Sequence, residues 1–455
     1  MNGPWRQWLQ LAVASIGLAG SMAMTEAILA RHVLRVDLTP DRAYTLAQHS
    51  RQVLENLRHD VRVVAFLRAD DPRNHEIEDL LWRLRAVSSR VSYSVVDINR
   101  NPMAARQFGV NADGALVVES DGRRKVFSNP SEPLLIAAIL QITRSDKKRV
   151  YFVTDHGERS PQDSDRQRGM STARAALAGE FYDVQPLSVL AGGSVPADAS
   201  VVILAGPHAD VLPAELQTLA DYLARGGALL VMLDPQQAPN LVAFLRSYHV
   251  AVGDDVIVDP ENRLFAGDVL TMTIPGLSPR QPVSAALKAP PLFAQARSVE
   301  FVADTEARFG GVSLLESSPA SWRSGDPDVL HAGTTTYVDG RDVRGPVSVA
   351  VSVVMRSNAR DVPPGRLIVV GDSDFANNFF IEYLGNKDLL ANAVNWLAHE
   401  EELVGVRPQQ QQPGVNQFFV SARQGRAAFW LGTVVQPAVF LVVGMVVFLR
   451  RRFTG

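Results

Sequence analysis

Residues 201–235 read VVILAGPHADVLPAELQTLADYLARGGALLVMLDP. Val201-Val202-Ile203-Leu204 is an unbroken apolar run that ends at Ala205-Gly206-Pro207. A helix is predicted from Pro213 to Arg225, with proline at its start and Gly226-Gly227 as its stop. Ala228 to Leu233 is apolar throughout and ends at Asp234-Pro235. A strand with one wet face alternates apolar and polar residues. A strand with no polar position is covered on both sides, which indicates a parallel sheet between two layers of helices.

The same pattern extends in both directions. Val150-Tyr151-Phe152-Val153 predicts a strand, Gly169 to Gly179 a helix, the stretch near Val184 a short strand, and Asn240 to Tyr248 another helix. Arg366 to Val370 is a strand running into Gly371-Asp372-Ser373-Asp374-Phe375, with a helix from Asp388 to Leu397, and it is expected to join the sheet begun at Val150. Between them, residues 251–364 are rich in Pro, Gly and Ser with short alternating runs such as Leu270 to Ile274 and Val347 to Met355. That text predicts a β-rich insertion with long loops.

Upstream the order of elements differs. Asp60 to Leu67 is a strand of β-branched residues, and Glu76 to Ser88 is a helix with Ile77, Leu80, Leu81, Leu84 and Val87 on one face. Val91 to Ile98 is a second strand, Pro102 to Phe108 a short helix, and Ala115 to Val118 with Lys125 to Phe127 a hairpin around Asp121-Gly122. Strand, helix, strand, helix, hairpin is the order of a thioredoxin-like domain. The redox chemistry of that fold needs cysteines and the chain has none, so this part is expected to be a scaffold or a binding module.

Both ends carry membrane-length apolar runs. Leu9 to Ala30 contains only one charge, Glu26, near one end, with Trp5 and Trp8 at the other. A cleaved signal peptide is the alternative reading of this segment. Ala427 to Leu449 has no charge and stops at Arg450-Arg451-Arg452, a flank that belongs on the cytoplasmic side. Two spans put both termini in the cytoplasm and the region between them outside, the arrangement expected for a bacterial plasma (inner) membrane protein with a periplasmic or extracytoplasmic body. Spacings such as Gly17/Ser21 and Ala19/Ala23 suit close approach of another membrane helix.

Composition narrows the chemistry. With 455 residues, two or three domains are expected. The 45 basic and 48 acidic residues leave a net charge of −3, which argues against a nucleic-acid-coating protein. The absence of cysteine excludes disulfides, thiolate metal sites and a cysteine nucleophile. No Walker A lysine loop is present, so any energy for transport comes from a partner. No histidine pair has zinc-site spacing, and His208, His249 and His331 stand alone.

Several motifs, taken in order, resemble the auxiliary component of ABC-type transport systems named for gliding motility (the GldG-like family). They are Asp37-Leu38-Thr39 with Arg42-Ala43-Tyr44-Thr45-Leu46, Asp155-His156-Gly157-Glu158, and Leu315-Glu316-Ser317-Ser318-Pro319 with Ser321-Trp322. Val370 to Phe375 follows, then Gly385-Asn386-Lys387-Asp388-Leu389-Leu390 and Asn392-Ala393-Val394-Asn395-Trp396-Leu397. The resemblance covers nearly the whole chain. It implies a membrane-anchored extracytoplasmic protein whose α/β module is akin to the flavodoxin and class I glutamine-amidotransferase folds, associated with an ABC permease and a P-loop ATPase. Where the family pattern has His-Pro in the β-rich region, this chain has Gln281-Pro282, which puts a ligand role there in doubt. Amidotransferase chemistry needs a cysteine after a strand, and the corresponding strand here ends in Asp234-Pro235.

The resulting plan is an anchor over 1–30, a cysteine-free thioredoxin-like domain over 31–148, and an α/β domain built from 149–250 and 365–400. The β-rich insertion occupies 251–364, the polar linker 401–426, and the second span with its basic tail 427–455. Ligands of open α/β sheets bind outside the carboxyl ends of the strands. The loops expected there carry Asp155, His156, Glu158, Asp234, Asp372 and Asp374, a set suited to a hard cation or to acid–base work, or simply to capping and turns. Ser373 lacks the second glycine of a nucleophile elbow and reads as a cap or turn residue. No catalytic residue, metal or cofactor is assigned. The expected function is a non-catalytic auxiliary subunit of an ABC-type transporter or mechanotransmission complex, with permease, ATPase, lipid bilayer and a cell-envelope ligand as partners. The alternatives are a membrane-anchored hydrolase using the acidic crevice and a glycan- or lipid-binding envelope protein.

Overall fold

The computed structural model describes residues 46–405 apart from 69–73, 111–113, 129, 144–147, 191–192, 266–267, 306–307, 327, 330–335 and 357–361, and beyond them only 430–435, 437–438 and 445. The first expected span, motif residues 37–45, the linker glutamines and His331 lie outside the described residues, as does the second span except for those short helical pieces. Among the described residues no helix is long and apolar enough to cross a membrane. The chain forms two compact units, Met1–Leu116 and Val117–Gly455.

In the first unit the order is α1 (Gln48–Glu55), β1 (Val61–Leu67), α2 (Asn74–Val87), β2 (Val91–Asp97) and α3 (Pro102–Gln107). β1 and β2 pair in parallel, from Val61 with Val91 to Leu67 with Asp97. β1 is apolar at six of its seven positions because it is buried nearly throughout. α2 buries Ile77, Leu80, Leu81 and Leu84, the face predicted from their spacing. β2 stands at one end of its sheet.

β3 (Ala115–Ser120) contains the point at which the first unit ends. β4 (Arg123–Ser128) follows it across a tight turn in which Asp121 and Gly122 take φ of 48° and 76°, values a hairpin turn requires. α4 (Glu132–Thr143) completes the order strand, helix, strand, helix, hairpin, helix.

The second unit is an α/β body. Its first elements are β5 (Arg149–Val153), α5 (Ser171–Gly179), β6 (Asp183–Leu187), β7 (Ala199–Ala205), α6 (Pro213–Ala224), β8 (Ala228–Met232) and α7 (Pro239–Arg246). Short strands follow: β9 (Val250–Val252), β10 (Val256–Val258), β11 (Arg263–Phe265), β12 (Asp268–Thr273) and β13 (Gly276–Leu277). After α8 (Pro282–Ala285) come β14 (Leu292–Ala294), β15 (Val299–Phe301), β16 (Phe309–Glu316), β17 (Trp322–Ser324), β18 (Val343–Arg344), β19 (Ser348–Met355), β20 (Gly365–Val370) and α9 (Asn386–Leu397).

Eight of these strands form one sheet in the order β13-β16-β19-β20-β8-β7-β5-β6. β20, β8, β7, β5 and β6 run parallel, and β19, β16 and β13 extend the sheet antiparallel. The β-rich segment therefore supplies three strands to the main sheet, with three smaller sheets beside it. Alternate residues of each central strand enter different cores. Val150, Phe152, Ile203 and Leu230 pack with Leu177 of α5 and Leu389, Leu390 and Val394 of α9. Tyr151, Val153, Leu204 and Val231 pack with Leu219 and Leu223 of α6 and Leu241 and Leu245 of α7. Helices on both faces explain why Ala228 to Met232 has no polar position: every residue of that strand is buried.

Candidate functional site

The site is built by strand register. β20 pairs in parallel with β8, Val370 opposite Met232, so two residues beyond the last pair Asp372 and Asp234 leave the sheet side by side. Asp374 lies one short turn further on, and each of the three carboxylates has an oxygen within 4.8 Å of the other two. The neighbouring strand β7 delivers Gly206 to the same place. Its φ of 57° suits glycine, and a Cβ there would sit 2.5 Å from Ser373 Oγ and 3.0 Å from Asp234 Oδ2. A side chain at 206 would therefore fill the crevice.

Each polar group in the crevice has a partner within it. Asp234 accepts from the Ser373 N–H at 2.6 Å and from the Ser373 hydroxyl at 2.7 Å. Asp372, fully buried, accepts from the N–H groups of Ala294 (3.0 Å) and Asp374 (2.8 Å). Arg159, from the loop after β5, donates through Nε to Ser373 Oγ (2.7 Å), through Nη2 to Asp374 Oδ1 (2.6 Å) and through Nη1 to the Gln167 carbonyl (2.6 Å). Its Nη2 is also 3.7 Å from Asp234 Oδ2. Asn377 donates to Asp374 at 2.9 Å and to the Gln167 carbonyl at 3.0 Å. Arg297 lies buried behind β8, bonded to the carbonyls of Asp234 (2.9 Å) and Gly253 (2.7 Å). That burial holds its guanidinium below the usual arginine range.

Three carboxyl groups cluster about the Arg159 guanidinium, and the crowding of negative charge shows in their proton affinities. Burial, and then the charges of Asp374 and Asp234, push Asp372 well above the ordinary carboxylate range despite its two backbone donors. Burial also raises Asp374; Arg159 opposes this and Asp234 adds to it, leaving the carboxyl at about 6. Both groups bind protons more tightly folded than unfolded. The contribution of Asp374 to stability is thus fully present below the ordinary value of 3.8 and is lost as pH rises through about 6. Asp374→Asn is therefore expected to flatten the stability profile between pH 4 and pH 7, read as denaturant midpoints of the two proteins across about that range. Parallel profiles would contradict the shift.

The six residues expected at the strand ends separate into two groups. Asp234, Asp372 and Asp374 come together, whereas Asp155, His156 and Glu158 are engaged elsewhere. Asp155 accepts from the N–H groups of Val189 (2.6 Å) and Leu190 (3.0 Å), fastening the segment after β6. His156 is buried with Nδ1 3.1 Å from Glu158 Oε1 and Nε2 2.8 Å from Glu215 Oε2, the latter without hydrogen-bond alignment. Glu215 in turn caps α6 by accepting from the Leu212 N–H at 2.8 Å. Ser373 stands ahead of a single turn, Asp374–Ala376, but its side chain does not cap it; the hydroxyl is committed to Asp234 and Arg159 and is fully buried. Of the two readings, cap or turn, Ser373 does stand at a turn but does not cap it with its side chain. Sequence reasoning did not single out Arg159, although it directly follows the Asp155-His156-Gly157-Glu158 motif.

Two further motifs have structural roles. Gln281 accepts from the Val283 N–H at 2.7 Å and so caps α8. In the serine-rich motif, Ser317 and Ser321 share a hydroxyl–hydroxyl bond of 2.7 Å, and Ser317 bonds both backbone groups of Val347, holding the turn between β16 and β17.

Residues 147–393, more than half of the chain and all of the crevice, match the family described as an ABC-type uncharacterized transport system. The chain belongs to that family. It is an auxiliary component of an ABC-type transport system. Residues 40–129 match DUF7088, a domain of unknown function. No curated protein matches. Among solved structures, the mmIFT52 N-terminal domain is 13% identical, covering 55% of this chain and 96% of its own, with a TM-score of 0.38. A ThuA-like protein of Bacteroides uniformis is 13% identical, covering 56% and 93%, with a TM-score of 0.33. A thioredoxin of Malassezia sympodialis is 18% identical, covering 22% and 90%, with a TM-score of 0.17.

Proposed function

We propose that this family member is a non-catalytic, extracytoplasmic subunit that docks on the permease of its transport system through the apolar segments 9–30 and 427–449. The observation that carries the non-catalytic reading is the inward-facing chemistry of the crevice. The hydroxyl of Ser373 is buried between Asp234 and Arg159, and Asp372 accepts two backbone hydrogen bonds in full burial. A nucleophile needs an open approach and a general base free to take its proton, and here both functions are absorbed by internal bonds. Family membership supports the transport partner, and the gliding-motility branch remains part of the proposal on the motifs alone. Without a nucleotide-binding loop, the chain draws its energy from the ATPase of that system.

The full chain, tagged and extracted in mild detergent, is expected to retain a multi-span permease and a P-loop ATPase through affinity capture. Capture of neither defeats the docking reading. Turnover of envelope esters, amides or glycosides that disappears in Asp374→Asn would defeat the non-catalytic one.

A further inference from the structure

The loop after β5 carries a histidine set between two carboxylates, all three side chains buried. His156 has Glu158 of its own loop on one side and Glu215 of α6 on the other. Nδ1 lies 3.1 Å from Glu158 Oε1 and Nε2 lies 2.8 Å from Glu215 Oε2. A neutral imidazole has one N–H and one lone pair, whereas imidazolium donates from both nitrogens. With a neutral ring, one lone pair would face a carboxylate oxygen at hydrogen-bond distance in a site largely closed to solvent. Neither carboxylate is free to turn away. Glu158 Oε2 accepts from the His156 N–H at 2.6 Å, and Glu215 Oε2 accepts from the Leu212 N–H at 2.8 Å. Nε2 and Glu215 Oε1 have no aligned hydrogen bond among the described residues, so nothing else there supplies a donor to Glu215 or an acceptor for the ring.

The other ionisable groups around the ring are committed elsewhere. Asp155 accepts from the backbone of Val189 and Leu190, Asp210 from that of Val211 and Asn240, and Arg159 is turned into the crevice. His208 packs on Gly157, its Cβ 3.3 Å from where a side chain at 157 would begin. The backbone binds the same segments together. The His156 carbonyl accepts from the N–H groups of His208 and Ala209, and the Arg159 N–H donates to the Ala205 carbonyl, each at 2.9 Å. The loop that delivers Arg159, the segment after β7 and the first turn of α6 thus meet at one ring.

We propose that His156 is a proton-dependent latch between the Arg159 loop and α6. As imidazolium the ring joins Glu158 to Glu215 and holds both segments. When one ring proton leaves to solvent, a lone pair replaces a donor, one carboxylate is repelled, and the two segments loosen. The latch is therefore closed in acid and opens as pH rises, and its opening reaches the crevice through Arg159. The two oxygens of Glu158 have separate partners, and this gives the device a specific control. In Glu158→Gln the amide oxygen keeps the His156 N–H while the NH2 group donates to Nδ1. A neutral ring with its proton on Nε2 then satisfies both sides, and the latch stays closed without the extra proton.

Hydrogen exchange of the full chain tests the latch. Between about pH 5 and about pH 9, the protection factors of amides 208–216 are expected to fall several-fold in the unaltered chain and to stay level in Glu158→Gln. The ring itself gives a second reading, its signals assigned as those lost in His156→Phe. At about pH 5 the two 15N resonances of His156 are expected to lie together, as in imidazolium, in the unaltered chain, and apart, as in a single neutral tautomer, in Glu158→Gln. Level protection in the unaltered chain, an equal fall in both proteins, or a neutral ring in the unaltered chain at that pH would each overturn the proposal. The first and third of these are read on the unaltered chain and hold even where the variant fails to fold.

Discussion

Replacing Arg159 by leucine is expected to destabilise the α/β unit by about 3–5 kcal/mol, the cost of leaving buried charge without its partner. The guanidinium lies 2.6 Å from Asp374 and 3.7 Å from Asp234, with a side chain only 10% exposed, so water cannot take its place freely. Its loss also leaves Ser373 Oγ without that donor and the Gln167 carbonyl with Asn377 alone. The penalty is expected to shrink at pH 5, where Asp374 binds a proton, and to be partly relieved by adding Asp374→Asn. Denaturant unfolding of the single and double variants at two pH values measures both effects. A loss below about 1 kcal/mol, within the range of exposed ion pairs, would show that solvent screens the cluster.

Asn386→Ala is expected to be comparably severe, at about 3–5 kcal/mol, because several buried groups lose their only side-chain partner. Asn386 accepts from the Leu292 N–H at 2.7 Å and donates to the carbonyls of Leu292 (2.9 Å), Phe375 (3.0 Å) and Phe380 (2.9 Å). It thereby ties the start of α9, the turn after β20 and strand β14 together in full burial. Asn386→Asp keeps the size and one acceptor but turns a donor group toward three carbonyls into a second acceptor. It is expected to unfold at least as easily as the alanine variant, and an Asp variant as stable as wild type would show that the donor pattern is unimportant.

These two residues mark what could be seen in the chain and what could not. The parallel strands were legible because full burial on two faces leaves an unbroken apolar run, as in Ala228 to Leu233. The aspartates were legible because strand ends are where an α/β sheet gathers polar loops. Asp155, His156 and Glu158 looked equivalent on that argument, yet their side chains turn to the segment after β6 and to α6, and direction is not written in a local stretch. Arg159 was hidden for the same reason: its partners Ser373 and Asp374 lie more than two hundred positions away, and nothing beside it announces them. Asn386 could be quoted within a motif, but its meaning depends on Leu292, which only the folded chain brings near. The β-rich segment read as a separate insertion because short alternating strands show one covered face without saying which sheet they extend.

The position of β20 has a consequence for how the molecule comes into being. The strand occupies the interior of the eight-stranded sheet, between β19 and β8, although it is the last of them in the chain. As the polypeptide emerges from the ribosome, β5 to β8 can assemble early, but β8 must wait with an open flank while more than a hundred further residues are made. Closing so long a loop is slow, and an unsealed parallel edge invites wrong pairings in the interval. The carboxylate of Asp234 waits too, since Ser373 and Arg159 can enclose it only after β20 arrives. A chain stopped short of β20 therefore has every earlier strand and still lacks the residues that enclose Asp234.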